Sequence, residues 1–195
     1  MQEKVFKNLP AKQLQNVRVA ILVADDFEQI EMTEPRKVLD EVGAMTTLIS
    51  LKPGQVTGMN HDVKSDAFKV DMTLEQANPD DFDAVLLPGG VLNADSLRVN
   101  PEAQNFVSQI DKSGKPIAVI CHAPWLLVSA GRVKGRTLTS YPTIQDDIRN
   151  AGGNWVDQEA VHDGNWVSSR SPKDLGAFNL AMVTLFAEHR LQVSR

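Results

Sequence analysis

Residues 115–124 read KPIAVICHAP, in which a short apolar run stands between a proline and a Cys-His pair. A continuous apolar run of this length is typical of a strand that is buried on both faces of a parallel sheet. A helical pattern follows over residues 122–130. The sequence therefore predicts that Cys121 lies at the turn between a buried strand and a helix.

Two further segments have the character of buried strands, VRVAILVA at 17–24 and AVLLPGG at 84–90. Helical patterns alternate with them. The first helix is predicted to begin at Pro35 and to end at Gly43, and the last to cover residues 174–189. Short apolar strands that alternate with helices predict an α/β sandwich, with a mostly parallel central sheet and helices on both faces.

The composition is that of one globular domain. The chain has 195 residues, of which 42% are apolar and 23% charged, and a domain of this size buries a core without staples. We expect a polar N-terminal arm at residues 1–16 and a single α/β domain at residues 17–195. The net charge of -5 opposes binding to nucleic acid and to anionic membranes, because both partners are also negative.

The chain has one cysteine, so an intramolecular disulfide is impossible. No secretory signal is visible, and no run of 18 apolar residues is present that would span a membrane. We therefore expect a cytoplasmic protein. In that reducing compartment the reactivity of Cys121 matters more than its pairing.

Three strand ends carry groups capable of chemistry: the acidic residues after Ala24, the glycine turn Gly89-Gly90, and Cys121-His122. The carboxyl ends of parallel strands meet at one edge of a sheet, where sites form. A lone cysteine is often an inert, buried residue. Its predicted place before a helix instead resembles a nucleophile elbow, where the helix dipole favours the thiolate.

The neighbouring groups each have two readings. His122 is either a polar residue at a helix start or a general base, and a base needs hydrogen-bond reach rather than sequence proximity. The turn at Gly89-Gly90 is either structural or supplies an N–H group to an oxyanion hole together with His122. The acidic residues read as solvated surface with one exception, a carboxyl that keeps its proton and hydrogen-bonds a thiolate. That set is Asp25, Asp26, Glu28, Glu31 and Glu34.

Metal and cofactor sites are not predicted. The four histidines, at positions 61, 122, 162 and 189, show no paired ligand spacing. The sequence also contains neither a phosphate loop nor a dinucleotide glycine fingerprint. We therefore expect no metal and no cofactor.

Several motifs in one order resemble the PfpI-type intracellular protease family, within the superfamily that includes the human parkinsonism-associated protein. The motifs begin with DDFEQIE after the first strand, AVLLPGG and KPIAVICHAP. They continue with SAGRVKGRTLTSYPTIQDDIRNAGGNWVDQE and DGNWVSSRSPKDLGAF. The resemblance covers residues 17–190. It implies a flavodoxin-like sandwich that is also similar to class I glutamine amidotransferases.

The resemblance also implies roles for single residues. Cys121 matches the family nucleophile, and His122 matches the histidine beside it. Glu28 matches the glutamate that hydrogen-bonds the thiol, and Gly90 matches the glycine that supplies an oxyanion N–H. Tyr141 matches a tyrosine near the family site.

An acidic residue after the P-G-G turn reaches the histidine of a neighbouring subunit in the protease members. Asp95 is its best match here, in a segment one residue longer, so a homo-oligomer, a dimer or larger, is implied. A glutamine amidotransferase is excluded, because the His-x-Glu pair of those enzymes is missing after both His162 and His189.

Three functions agree with these residues, of which we favour the first and keep the other two as alternatives. The first is a stress-related cysteine hydrolase, a peptidase, in which Asp95 of the partner subunit orients His122. The second is a glyoxalase or deglycase that acts on methylglyoxal or on glycated groups. The third is a redox sensor or chaperone whose Cys121 oxidises reversibly. We expect the substrate to be a peptide or a small reactive aldehyde.

Overall fold

A computed structural model describes residues 13–193 of the chain. Its strands are β1 Arg18–Leu22, β2 Phe27–Glu28, β3 Met45–Ser50, β4 Gln55–Asn60, β5 Val63–Lys69, β6 Met72–Thr73, β7 Ala84–Leu87, β8 Ile117–Ile120, β9 Thr137–Leu138, β10 Asn154–Trp155, β11 Ala160–Asp163 and β12 Trp166–Ser169. Its α-helices are α1 Gln29–Glu41, α2 Val91–Arg98, α3 Pro101–Lys112, α4 Pro124–Ser129, α5 Gln145–Asn150 and α6 Leu175–Val193.

The central sheet has seven strands within the described residues, in the order β11-β12-β8-β7-β1-β3-β6. All neighbours are parallel except the hairpin of β11 and β12. Apolar side chains of α1 and α6 cover one face, and those of α3, α4 and α5 cover the other. The predicted α/β sandwich is thereby confirmed. The strands β1, β7 and β8 lie side by side, so their carboxyl ends meet at one edge.

Helix α1 begins six residues earlier than the sequence predicts, because Pro35 lies inside it rather than at its start. The residue before the helix is Glu28, whose side chain makes no capping bond, so the usual start signal is missing. The predicted end is correct: Gly43 follows the helix with a φ of 91°. The buried face of α1 therefore includes Glu31, Met32 and Pro35.

The predicted arm at residues 1–16 is described only in part, because residues 1–12 lie outside the described residues. Residues 13–16 form a turn that packs on the domain. Leu14 is fully buried, and its N–H donates to the carbonyl of Val42 at 2.9 Å. The packed body of the domain therefore includes Leu14, three residues before the predicted boundary.

A buried carboxylate stabilises the sheet edge opposite the Cys121 end. Asp111 at the end of α3 accepts hydrogen bonds from Arg132, Arg136, Asn165 and Trp166 at 2.6–3.2 Å. Burial alone favours a high pKa for Asp111, but these bonds outweigh it and lower the pKa. These bonds join the end of α3 to the start of β12.

Candidate active site

Cys121 follows β8 with a left-handed backbone, at a φ of 63°. Its N–H donates to the carbonyl of Ser169 at 3.1 Å, and its carbonyl accepts from the N–H of Tyr141 at 2.8 Å. A non-glycine residue in this conformation costs about 1–2 kcal/mol. The strained turn places the side chain, which is almost fully buried, at the edge where the strand ends meet.

The backbone N–H groups of Gly90 and His122 lie near the sulfur of Cys121 and act to lower the pKa of its thiol. Both favour the thiolate and would also bind an oxyanion formed beside the sulfur. Gly90 has a φ of 96°, and a Cβ there would lie 2.6 Å from the backbone nitrogen of Glu28. The turn after β7 therefore requires glycine at position 90.

The carboxyl beside the thiol belongs to Glu31, not to Glu28 as the sequence resemblance implies. The side chain of Glu31 is fully buried beside Cys121, and its Oε2 accepts the N–H of Gly89 at 3.0 Å, while its Oε1 has no hydrogen-bond partner among the described residues. A Cβ at Gly89 would meet Glu31 Oε2 at 2.3 Å and Cys121 Cβ at 2.5 Å. Only a glycine at position 89 lets these two side chains approach.

Glu28 lies one helical turn earlier, at the wall of the pocket. Its Oε2 accepts the N–H of His61 at 3.2 Å and lies 3.8 Å from His61 Nδ1. His61 is at the tip of the β4–β5 hairpin. Glu28 therefore faces the pocket but contacts the hairpin tip, and the carboxyl that the resemblance places beside the thiol is that of Glu31.

Burial changes the ionisation of the central groups. Burial, with the charge of Glu28 as a second cause, raises the pKa of Glu31 to about 8. Burial and the carboxyl of Glu31 also raise the pKa of the Cys121 thiol, against the effect of the two N–H groups. Burial lowers the pKa of His122. Near pH 7 the carboxyl and the thiol hold their protons and the imidazole is neutral.

His122 contacts the thiol directly. Its Nδ1 lies 3.2 Å from Cys121 Sγ, and its Nε2 lies 3.3 Å from the hydroxyl oxygen of Thr143. Tyr141 stacks on the imidazole with ring centroids 4.6 Å apart and 25° between the planes. The imidazole is thus within reach of the thiol proton.

Asn93 is a site residue that the sequence analysis missed. Its fully buried side chain accepts the N–H of Ala24 at 2.7 Å and donates to the carbonyls of Pro88 and Gly89 at 3.0 and 2.9 Å. It therefore joins the end of β1 to the glycine turn after β7. No local sequence signal identifies it, because the bonded groups come from two strands.

Asp95 lies on the exposed side of α2 and does not line the pocket of its own chain. Charged residues of the pocket lining include Arg170 and Glu28. Arg170 binds Asp157 at 2.7 Å and Asp174 at 2.8 Å, and Glu28 contacts His61. The cavity they enclose measures about 1080 Å³, which is ample for a substrate larger than a three-carbon aldehyde.

Within residues 13–193, no three His, Cys, Asp or Glu side chains are arranged to hold a metal ion. The same residues contain no helix that is long and apolar enough to cross a membrane.

Comparison with known proteins gives consistent matches over most of the chain. The DJ-1/PfpI family matches residues 17–185. A deglycase of Pyrococcus abyssi is 46% identical over 169 residues, which make up 87% of this chain and 99% of that protein. A Bacillus subtilis protein named "Putative cysteine protease YraA" is 38% identical over 168 residues, 86% of this chain and 97% of that protein.

Solved structures agree with these matches. Drosophila melanogaster DJ-1beta superimposes with a TM-score of 0.80 at 28% sequence identity, and the match covers 92% of this chain and 96% of that one.

Proposed function

Because this chain belongs to the DJ-1/PfpI family, we propose that it is a cysteine-dependent deglycase, which removes 2-oxoaldehyde adducts from amines and also consumes free methylglyoxal. Cys121 is the nucleophile. The observation that carries the proposal is the buried carboxyl of Glu31, which lies beside Cys121 and whose pKa burial raises to about 8. The name of the Pyrococcus abyssi relative supports the same reaction.

The first step forms a bond between sulfur and the aldehyde carbon. As Cys121 attacks, its proton passes to Nδ1 of His122, which lies 3.2 Å from the sulfur. With free methylglyoxal the product is a hemithioacetal. With an amine adduct, the carbon–nitrogen bond breaks and the amine leaves with the proton from His122.

The second step moves hydrogen between neighbouring carbons. A base removes the proton from the sulfur-bearing carbon, and a proton returns to the next carbon, which converts the hemithioacetal to a lactate thioester. One carbon is oxidised and its neighbour is reduced, so no external oxidant is needed. Glu31 is assigned this transfer, because a carboxyl with a pKa of about 8 both accepts and donates a proton near neutral pH.

Water then hydrolyses the thioester. The N–H groups of Gly90 and His122 stabilise the oxyanion that forms, and His122 activates the water. The products are lactate and the free thiol of Cys121. Overall, adduct and water give amine and lactate.

A peptidase is the second candidate, favoured by the paired N–H groups at the sulfur and by the name of the Bacillus subtilis relative. Expulsion of an amide leaving group needs a histidine that holds a full positive charge. Asp95 of the partner subunit would supply the balancing carboxylate in a homo-oligomer. The two candidates therefore differ in whether Glu31 or Asp95 is essential.

The deciding experiment measures lactate release from methylglyoxal and from a methylglyoxal-treated N-acetylated amino acid, beside cleavage of a fluorogenic peptide. We expect lactate release that Cys121→Ser abolishes and Glu31→Gln lowers at least a hundredfold. Glu28→Gln is the matched control and should retain most of the activity. Peptide cleavage that is lost in Asp95→Ala but not in Glu31→Gln would establish the peptidase instead. If neither substrate is consumed, the redox-sensor hypothesis replaces both.

A further inference from the structure

The imidazole of His122 is held on both of its nitrogens by groups of its own chain. Nδ1 lies 3.2 Å from Cys121 Sγ, and Nε2 lies 3.3 Å from Thr143 Oγ1. The sequence resemblance assigns the orientation of His122 to Asp95 of the partner subunit. The described residues instead place a hydroxyl at Nε2 without any second subunit.

Neighbouring residues hold Thr143 in place. It is the middle residue of a 3-10 turn, Pro142–Ile144, in which Ile144 is buried. The N–H of Tyr141, just before this turn, donates to the carbonyl of Cys121 at 2.8 Å. The segment is thus hydrogen-bonded to the backbone of Cys121, which keeps Thr143 close to the nucleophile.

The same segment restricts the ring in a second direction. Tyr141 stacks on the imidazole at 4.6 Å, which sets the plane of the ring, while the hydroxyl of Thr143 sets its rotation within that plane. A ring fixed in both respects presents Nδ1 to the sulfur and cannot present Nε2.

The tautomer decides whether His122 can act as a base. A neutral imidazole carries one proton, and Nδ1 can accept the thiol proton only if the ring proton is on Nε2. A proton on Nε2 points at Thr143, whose oxygen accepts it. Burial keeps His122 neutral and the thiol protonated, so this tautomer is the one that the first catalytic step needs.

We propose that Thr143 is a positioning residue, whose hydroxyl oxygen accepts the Nε2 proton of His122 and so holds Nδ1 ready to take the proton of Cys121. The proposal rests on the proposed function for its consequence in turnover, but not for the tautomer itself. A hydroxyl carries no charge, so it orients the ring without stabilising a lasting imidazolium. That property suits addition to an aldehyde, in which the proton is passed on at once.

The test compares Thr143→Val, which keeps the shape and loses the hydroxyl, with Thr143→Ser, which keeps the hydroxyl. We expect Thr143→Val to lower kcat about fivefold to tenfold with KM unchanged. Thr143→Ser should stay within about twofold of wild type. The side chain is exposed, so both variants should fold, and thermal unfolding verifies this.

Nitrogen-15 NMR of the imidazole reads the tautomer without any substrate. Signals of His122 are identified by their loss in His122→Gln. Wild type and Thr143→Ser should show the proton on Nε2, and Thr143→Val should show a mixture. An unchanged tautomer in Thr143→Val, or an equal loss of kcat in the serine variant, would overturn the proposal. A wild type without turnover would refute the proposed function, while the NMR result would still decide the role of Thr143.

Discussion

Replacement of Glu31 by glutamine should make the protein more stable and less active at the same time. The carboxyl is buried against the thiol and accepts the N–H of Gly89 at 3.0 Å. Glutamine has nearly the same shape, so its oxygen can accept that N–H and its NH₂ group can still donate to the sulfur. The substitution therefore removes only the ability of residue 31 to ionise.

The size of the effect follows from the pKa. Burial raises the pKa of Glu31 from 4.5 to about 8, so between these values the unfolded chain releases a proton that the folded chain keeps. Each pH unit in this window lowers the free energy of unfolding by about 1.4 kcal/mol. At pH 7 the loss in wild type is about 3 kcal/mol, and above pH 8 it is about 5 kcal/mol. Glutamine avoids this loss, less about 1 kcal/mol for an imperfect hydrogen bond.

Urea unfolding followed by tryptophan fluorescence measures the difference. At pH 5 the Glu31→Gln variant and wild type should have almost equal free energies of unfolding. At pH 7 the variant should be more stable by about 2 kcal/mol. Glu28→Gln is the matched control: the burial of Glu31, the larger cause of its raised pKa, remains, and only the smaller contribution of the Glu28 charge is lost. Its stability should therefore keep most of the pH dependence of wild type.

One result would refute this reasoning. If the stability difference between Glu31→Gln and wild type is the same at pH 5 and pH 7, Glu31 does not hold a proton that the unfolded chain releases. The pKa of about 8 would then be wrong for Glu31, and the reason given for assigning the hydrogen transfer to this residue would be lost with it.

Two further substitutions separate the stability of the fold from activity, one at the site and one at the opposite edge of the sheet. Gly89→Ala should cost about 3 kcal/mol and most of the activity, since its Cβ would lie 2.3 Å from Glu31 Oε2. Gly131→Ala, with a φ of 67° and open space around it, should cost only about 1 kcal/mol and leave kcat unchanged; equal losses in both would contradict the steric explanation. Asp111→Asn should cost about 3 kcal/mol at pH 7, because the half-buried Arg132 and Arg136 lose their carboxylate. Since Asp111 is at the opposite sheet edge from Cys121, kcat at 25 °C should not change, and a loss of kcat in the folded variant would contradict this.

The fold could be predicted because its signals are local. The apolar runs that end at Ala24, Leu87 and Ile120 contain almost only apolar residues, which predicts buried strands. The segments between them have the residue spacing of helices, and strands that alternate with helices predict a parallel sheet. The convergence of the three strand ends followed from topology alone. Gly90 and His122 follow two of these strand ends, so the sequence is sufficient to predict that they lie close to Cys121.

The role of Glu31 is not predicted from the sequence, and the reason is also local. A proline is a common first residue of a helix, so the sequence predicts that α1 begins at Pro35 and that the acidic residues before it form a solvated loop. In the structure Glu31, Pro35 and Val38 share the buried face of α1. The spacings of four and seven residues were already visible in the sequence, but they have meaning only once the helix is extended to Gln29.

Thr143 and Asn93 could not be predicted, because their contacts join segments that are distant in the chain. Thr143 meets a ring 21 residues earlier, and Asn93 accepts the N–H of Ala24 69 residues before it. Neither residue type has a chemical signature of its own. Only the packed arrangement of the strand ends gives the hydroxyl and the amide a role.

Composition alone left open whether Cys121 is an inert, buried residue or a reactive one, and energetics now favour the reactive reading. Three features at and around Cys121 are unfavourable for folding. They are the left-handed backbone at φ 63°, the buried acid beside the thiol, and the turn that admits only glycine at positions 89 and 90. Together they oppose folding by several kcal/mol, about 3 of them from Glu31 at pH 7. A cysteine that merely fills the core needs none of these features, and strain of this kind persists where chemistry requires the geometry.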